Sequence, residues 1–144
     1  MTRVSFYILK SQDPQSRQQV ACRLAEKAWR EGHQVFIYTE NAEQSAEMYN
    51  ALWVFRPESF VPHQIMAEAS TVMAPVLISH DHTPPPRLMD VLINLNAEQP
   101  MFFSQFERLA EIIDDDDQVK QYGRQRYKFY QDRGYHLDTH HIKN

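Results

Sequence analysis

Short apolar runs alternate along the chain with segments in which apolar residues return every three or four positions. Val4–Leu9 (VSFYIL), Gln34–Thr39 (QVFIYT), Val76–Ser79 and Val91–Leu95 have strand length and are rich in β-branched and aromatic residues. Between the first two, Val20, Leu24 and Ala28 recur every fourth residue, with Ala21, Ala25 and Trp29 beside them. That stripe predicts an amphipathic helix from Gln15 to Glu31, opened by Asp13-Pro14 and closed by Gly32. Strand, helix and strand with short links make a βαβ unit, with parallel strands and a right-handed crossover. Asn41 followed by Gln44 resembles a capping box and predicts a second helix over 42–52, with Ala42, Ala46, Tyr49 and Leu52 inward. Phe102, Phe106, Leu109 and Ile113 share one helical stripe, which predicts a helix over Met101–Ile113. The expected fold is α/β, a mainly parallel sheet between helices, in one domain spanning 1–144.

Composition sharpens this picture in two ways. The chain of 144 residues has three glycines, Gly32, Gly123 and Gly134, where average usage would give roughly ten. No Gly-rich phosphate cradle, of either the dinucleotide or the P-loop type, can be written with them. The net charge of −4 also hides a division. Residues 1–117 carry a balance of −8 and residues 118–144 a balance of +4. An acidic body argues against broad coating of nucleic acid, while the basic end calls for its own explanation.

Enzyme and metal signatures are absent from the pattern. One cysteine, Cys22, excludes an internal disulfide, fits a reducing compartment and reads as core filler within the first helix. No signal-peptide pattern and no apolar run of membrane-spanning length is present, so a cytoplasmic protein is expected. Ser59 and His63 lack a nucleophile elbow, Glu58 lacks a carboxylate partner, and Asp114–Asp117 is a run rather than a pair. His80-Asp81-His82, in a loop continuing through Pro84–Pro86, and His136, Asp138, His140 and His141 have no zinc-type spacing. No catalytic residue, metal or cofactor is expected.

Two segments stand out instead. After Asp114–Asp117, Val119–Gly134 (VKQYGRQRYKFYQDRG) is expected to be helical, with Val119, Tyr122, Arg126, Phe129 and Arg133 inward. Lys120, Arg124, Tyr127 and Lys128 fall at i, i+4, i+7 and i+8 and form a second stripe. Three cations and a tyrosine on one face are either a solvated surface or a site for an acidic partner. Exposed ion pairs supply about 0.2–1 kcal/mol each, whereas a micromolar complex needs about 8 kcal/mol. Such a site therefore also requires apolar contact. The other segment, Leu52–His63 (LWVFRPESFVPH), is broken by Pro57 and Pro62 yet carries Trp53, Phe55 and Phe60. It either plugs the core or presents aromatic anchors.

The run L-W-x-x-x-P-x-S-F-V-P-H at Leu52–His63 resembles the signature of the chi subunit of bacterial DNA polymerase III. R-x-R-Y-K-x-Y at Arg124–Tyr130, FY-x-L at Phe6–Leu9 and W-R-x-G at Trp29–Gly32 resemble the same family, in order over nearly the whole chain. The resemblance implies a three-layer α/β/α, Rossmann-like fold without a phosphate loop. It also implies a non-catalytic adaptor. One partner would be the psi subunit of the clamp loader, met around Trp53, Pro57 and Phe60. The other would be the acidic, Phe-ending C-terminal tail of single-stranded-DNA-binding protein, met by Lys120, Arg124, Tyr127 and Lys128. Contact with DNA would then be indirect. The competing reading of the same helix is direct single-stranded nucleic-acid binding through its cations and tyrosines.

Overall fold

A computed structural model describes residues 1–66, 73–81 and 90–142. Residues 82–86 of the His80–Pro86 loop lie outside the described residues. Seven strands form one all-parallel sheet: β1 (Arg3–Leu9), β2 (Val35–Tyr38), β3 (His63–Ile65), β4 (Val76–Ser79), β5 (Val91–Asn94), β6 (Arg108–Ile113) and β7 (Leu137–Ile142), in the order β3-β4-β2-β5-β6-β1-β7. Helices α1 (Pro14–Arg30) and α2 (Ala42–Val54) cover one face and α3 (Asp117–Asp132) the other. The result is the three-layer α/β/α sandwich. Because both faces are covered, β2, β4 and β5 are buried at every position, which is why they read as continuous apolar runs.

The helices begin where their caps dictate. Asp13 accepts from the Gln15 amide with Pro14 in the first turn of α1, and Asn41 accepts from the Gln44 amide at α2. The inward face of α2 differs from the expected one. Ser45, Met48 and Leu52 are buried, whereas Ala42 and Ala46 are exposed. Met48 and Leu52 enter the core cluster on this face, and Ser45 accompanies them, its hydroxyl 2.6 Å from that of the buried Thr39. Cys22 is buried in the cluster under α1, and burial pushes its thiol up to about 12.

The helix expected over Met101–Ile113 is not formed. A single 3-10 turn at Phe103–Gln105 leads into β6, which pairs with β5 on one side and β1 on the other. Phe102, Phe106, Leu109 and Ile113 are all buried on the α3 side. Their helical spacing arises from a turn joined to a strand, and pairing with two neighbours overrides it. The His-rich end likewise forms β7, in register with β1 from Val4↔Leu137 to Leu9↔Ile142. His140 stacks on Tyr7 there, with ring centroids 4.9 Å apart.

All three glycines have structural work. Gly32 and Gly134 follow helices with φ of 88° and 80°, a region costly for other residues. Gly123 lies where α3 meets β6, and a Cβ there would stand 2.6 Å from Ile113 Cδ1. It is a point of close approach, and that contact offsets its unfavourable helix propensity.

Candidate partner surfaces

The underside of α3 is polar at its centre. Gly123, Arg126 and Tyr130 are buried, a face rotated from the expected seam, in which Arg133 is exposed and stacks on Phe129 at 3.5 Å. Arg126 Nε donates to Glu111 Oε1 at 3.0 Å, the Tyr130 hydroxyl donates to Oε2 at 2.8 Å, and Asn94 Nδ2 donates to both oxygens at 3.0 and 3.1 Å. Arg126 Nη1 also donates to the Ala97 carbonyl at 2.6 Å. Each bond to Glu111 is a donation to its carboxylate oxygens, so the ionised carboxylate is the form the site satisfies. Burial raises the Glu111 carboxyl above its ordinary value, and Arg126, Tyr130 and Asn94 pull it back. Burial and the Glu111 charge both raise Tyr130. This network, which joins β5, β6 and α3, escaped the sequence reading. Its signal was a glutamate inside an apolar run, which demands a buried cation elsewhere.

With that face fixed, the two flanks of α3 differ. Tyr122, Gln125, Arg126 and Phe129 border Ala97–Gln99 around a cavity of about 480 Å³, and its one cation, Arg126, is committed to Glu111. Tyr127 marks the opposite flank, its ring 5.1 Å from that of Phe6 on β1. Lys120, Arg124 and Lys128 share this second flank by helical spacing. Arg124 and Lys128 are exposed and make no ion pair with any described residue. Lys120 donates to Asp115 Oδ1 at 3.0 Å. That hydrogen bond, followed by the charge of Asp115, raises the Lys120 ammonium above its ordinary value. Tyr127, on the same flank as these cations, is partly buried against the α3-side cluster, as are Ile8 of β1 and Leu137 of β7.

The Leu52–His63 segment divides cleanly. Leu52, Ser59 and Val61 are buried, while Pro57 is exposed and Trp53, Val54 and Phe60 are 46%, 75% and 59% exposed. Trp53 is the hub of the patch, with centroids 5.4 Å from Phe60, 4.9 Å from His63 and 6.3 Å from Tyr49. Beneath it, buried Glu26 of α1 accepts from the Ser59 hydroxyl and pairs with Arg56 at 3.0 Å and Arg30 at 3.6 Å. The loop is therefore tied to the scaffold while its aromatic side faces outward. His63 adds a second tie, its ring nitrogens 2.6 Å from the Val61 carbonyl and 2.9 Å from that of Tyr49.

Residues 1–138 match the family model of the DNA polymerase III chi subunit, HolC. The chain belongs to the DNA polymerase III chi subunit family. It is 43% identical over 142 residues to DNA polymerase III subunit chi of Pseudomonas aeruginosa, covering 99% of this chain and 98% of that protein. The Haemophilus influenzae subunit is 34% identical, covering 95% of each chain, and the Escherichia coli K12 subunit is 32% identical, covering 96% and 97%. The fold also resembles the crystal structure of T4 UvsW, with a TM-score of 0.70 and 7% identity over 98% of this chain. This chain spans 41% of UvsW, and that likeness concerns the fold alone. The family is one of replication accessory subunits, and no described helix is long and apolar enough to cross a membrane.

Proposed function

We propose that the chain is a non-catalytic adaptor of the replicase with two separate docking surfaces. The aromatic patch of Trp53, Pro57 and Phe60 receives the psi subunit of the clamp loader. The Lys120, Arg124, Tyr127 and Lys128 flank of α3 receives the acidic tail of single-stranded-DNA-binding protein. The observation that carries this reading is the placement of the two surfaces. One adjoins edge strand β3 on the α1–α2 face, the other lies toward edge strand β7 on the α3 face. At the usual strand spacing these edges are about 29 Å apart, so both surfaces can be filled at once.

Each surface suits its partner chemically. On α3, the exposed cations meet the carboxylates, and the apolar surface of Ile8, Tyr127 and Leu137 beside them takes the terminal Phe. This adds the hydrophobic contribution that ion pairs alone lack. Direct binding of single-stranded nucleic acid is less well supported. Tyr130 is buried and so offers a base no free face, and Tyr127 is half-buried with its ring against Phe6.

Titration of a labelled aspartate-rich peptide ending in phenylalanine tests the α3 surface. Arg124→Ala with Lys128→Ala should weaken binding about two- to thirtyfold at low salt, the range for losing two exposed ion pairs, and added salt should narrow that difference. Equal affinity for wild type and the double variant would remove the surface from the account.

A further inference from the structure

The acidic run before and at the start of α3 is split in its duties. Asp114 is buried and accepts from the Asp116 amide at 3.1 Å, and Asp116 caps α3 by accepting from the Val119 amide. Asp115 and Asp117 instead face the cationic stripe. Asp115 Oδ1 lies 3.0 Å from Lys120 Nζ and Asp117 Oδ1 lies 3.8 Å from it. The Asp115 backbone is held in place, its amide donating to the Ser11 carbonyl at 2.9 Å. A carboxylate of the chain itself therefore occupies one of the three cations that an incoming acidic peptide would use.

We propose that Asp115 is an intramolecular competitor, a built-in stand-in for the peptide carboxylate that lowers the affinity of α3 for acidic peptides. The inference rests on the α3 reading given above. Docking on Lys120 exchanges one carboxylate for another, so that cation adds little to net affinity. Arg124 and Lys128 gain a partner where they had none and carry most of the electrostatic contribution. Weakly acidic segments fail to displace Asp115, while a carboxylate-dense tail succeeds. Asp115 thus selects for charge density as well as reducing affinity.

The same labelled peptide, titrated at low salt against five variants, tests this. Asp115→Asn should tighten binding about two- to fivefold, the range expected for releasing one exposed ion pair. Asp132→Asn removes an equal charge from the far end of α3 with no contact to Lys120, and should change affinity much less. In a Lys120→Gln background the gain from Asp115→Asn should vanish, because the competition acts through that one ammonium. A gain that persists without Lys120, or that Asp132→Asn reproduces, overturns the proposal while leaving the α3 surface intact. Arg124→Ala in the same series separates the two ideas. If it leaves binding unchanged, the surface itself is wrong and the competitor falls with it.

Discussion

Replacing Arg126 with methionine is expected to lower the unfolding free energy by about 3–5 kcal/mol, the range for removing one partner of a buried ion pair. Glu111 is fully buried, and Arg126 is the cation bonded to it. Tyr130 and Asn94 would still donate, but a carboxylate without its countercharge is poorly tolerated away from water. The loss should depend on pH in a defined direction. Burial already raises the Glu111 carboxyl, and losing Arg126 raises it further. The folded variant then binds a proton that the unfolded chain releases near the ordinary carboxylate value of about 4.3. Stability is therefore retained below that value and lost as pH rises through the raised folded one. Denaturant melts of the variant at pH 4.5 and pH 8 should show the larger deficit at pH 8. Glu111→Gln added to Arg126→Met should recover part of it, since a neutral amide needs no countercharge. A deficit under 1 kcal/mol, or one that is larger at pH 4.5, would mean that the network does not anchor α3.

Phe60→Ala is expected to weaken pairing with psi about thirtyfold or more while leaving the melting temperature nearly unchanged. Truncating a central aromatic anchor costs about 2 kcal/mol or more at an interface, whereas a substitution at an exposed position usually shifts stability by less than about 0.5 kcal/mol. Phe60 is 59% exposed, and its ring lies against Trp53, itself half-exposed. Val61, the next residue, is buried, so Val61→Ala supplies the contrast. That change should lower stability by leaving a cavity, and should affect pairing only to the extent that folding is affected. Calorimetry with purified psi, alongside thermal melts, separates the two. Equal loss of stability in both variants would place Phe60 in the core and refute its role as an anchor.

The sequence exposes the fold wherever one physical pattern dominates a segment. The fourfold recurrence at Val20, Leu24 and Ala28 marks α1, and unbroken apolar runs mark β2, β4 and β5, because strands covered on both faces have no polar side. It misleads over Arg108–Ile113, where apolar residues satisfy a helical and a strand template together. Only pairing with β1 and β5, with β1 lying 105 residues earlier (Arg3↔Arg108), decides between them. β7 escapes because four of its six residues are polar, and a sheet-edge strand needs few apolar positions. At the candidate partner surfaces, helical spacing is enough to gather Lys120, Arg124, Tyr127 and Lys128 on one flank. It gives no sign that Lys120 is engaged by Asp115, since Asp115 is held by its amide bond to the carbonyl of Ser11, in the distant loop between β1 and α1. The division of Leu52–His63 into buried Val61 and exposed Phe60 is likewise invisible to composition. It is set by the ties of Glu26 to Ser59 and Arg56, two elements away.

The adaptor account requires that the two surfaces act independently, and a single titration addresses this. The labelled acidic peptide is added to the chain alone and to the chain saturated with psi, and Kd and stoichiometry are measured in both. Surfaces at opposite edges and on opposite faces of the sheet predict one site in each case, with Kd values within about twofold and psi still bound at saturation. Displacement of psi by the peptide, or loss of peptide binding in the preformed pair, would contradict it.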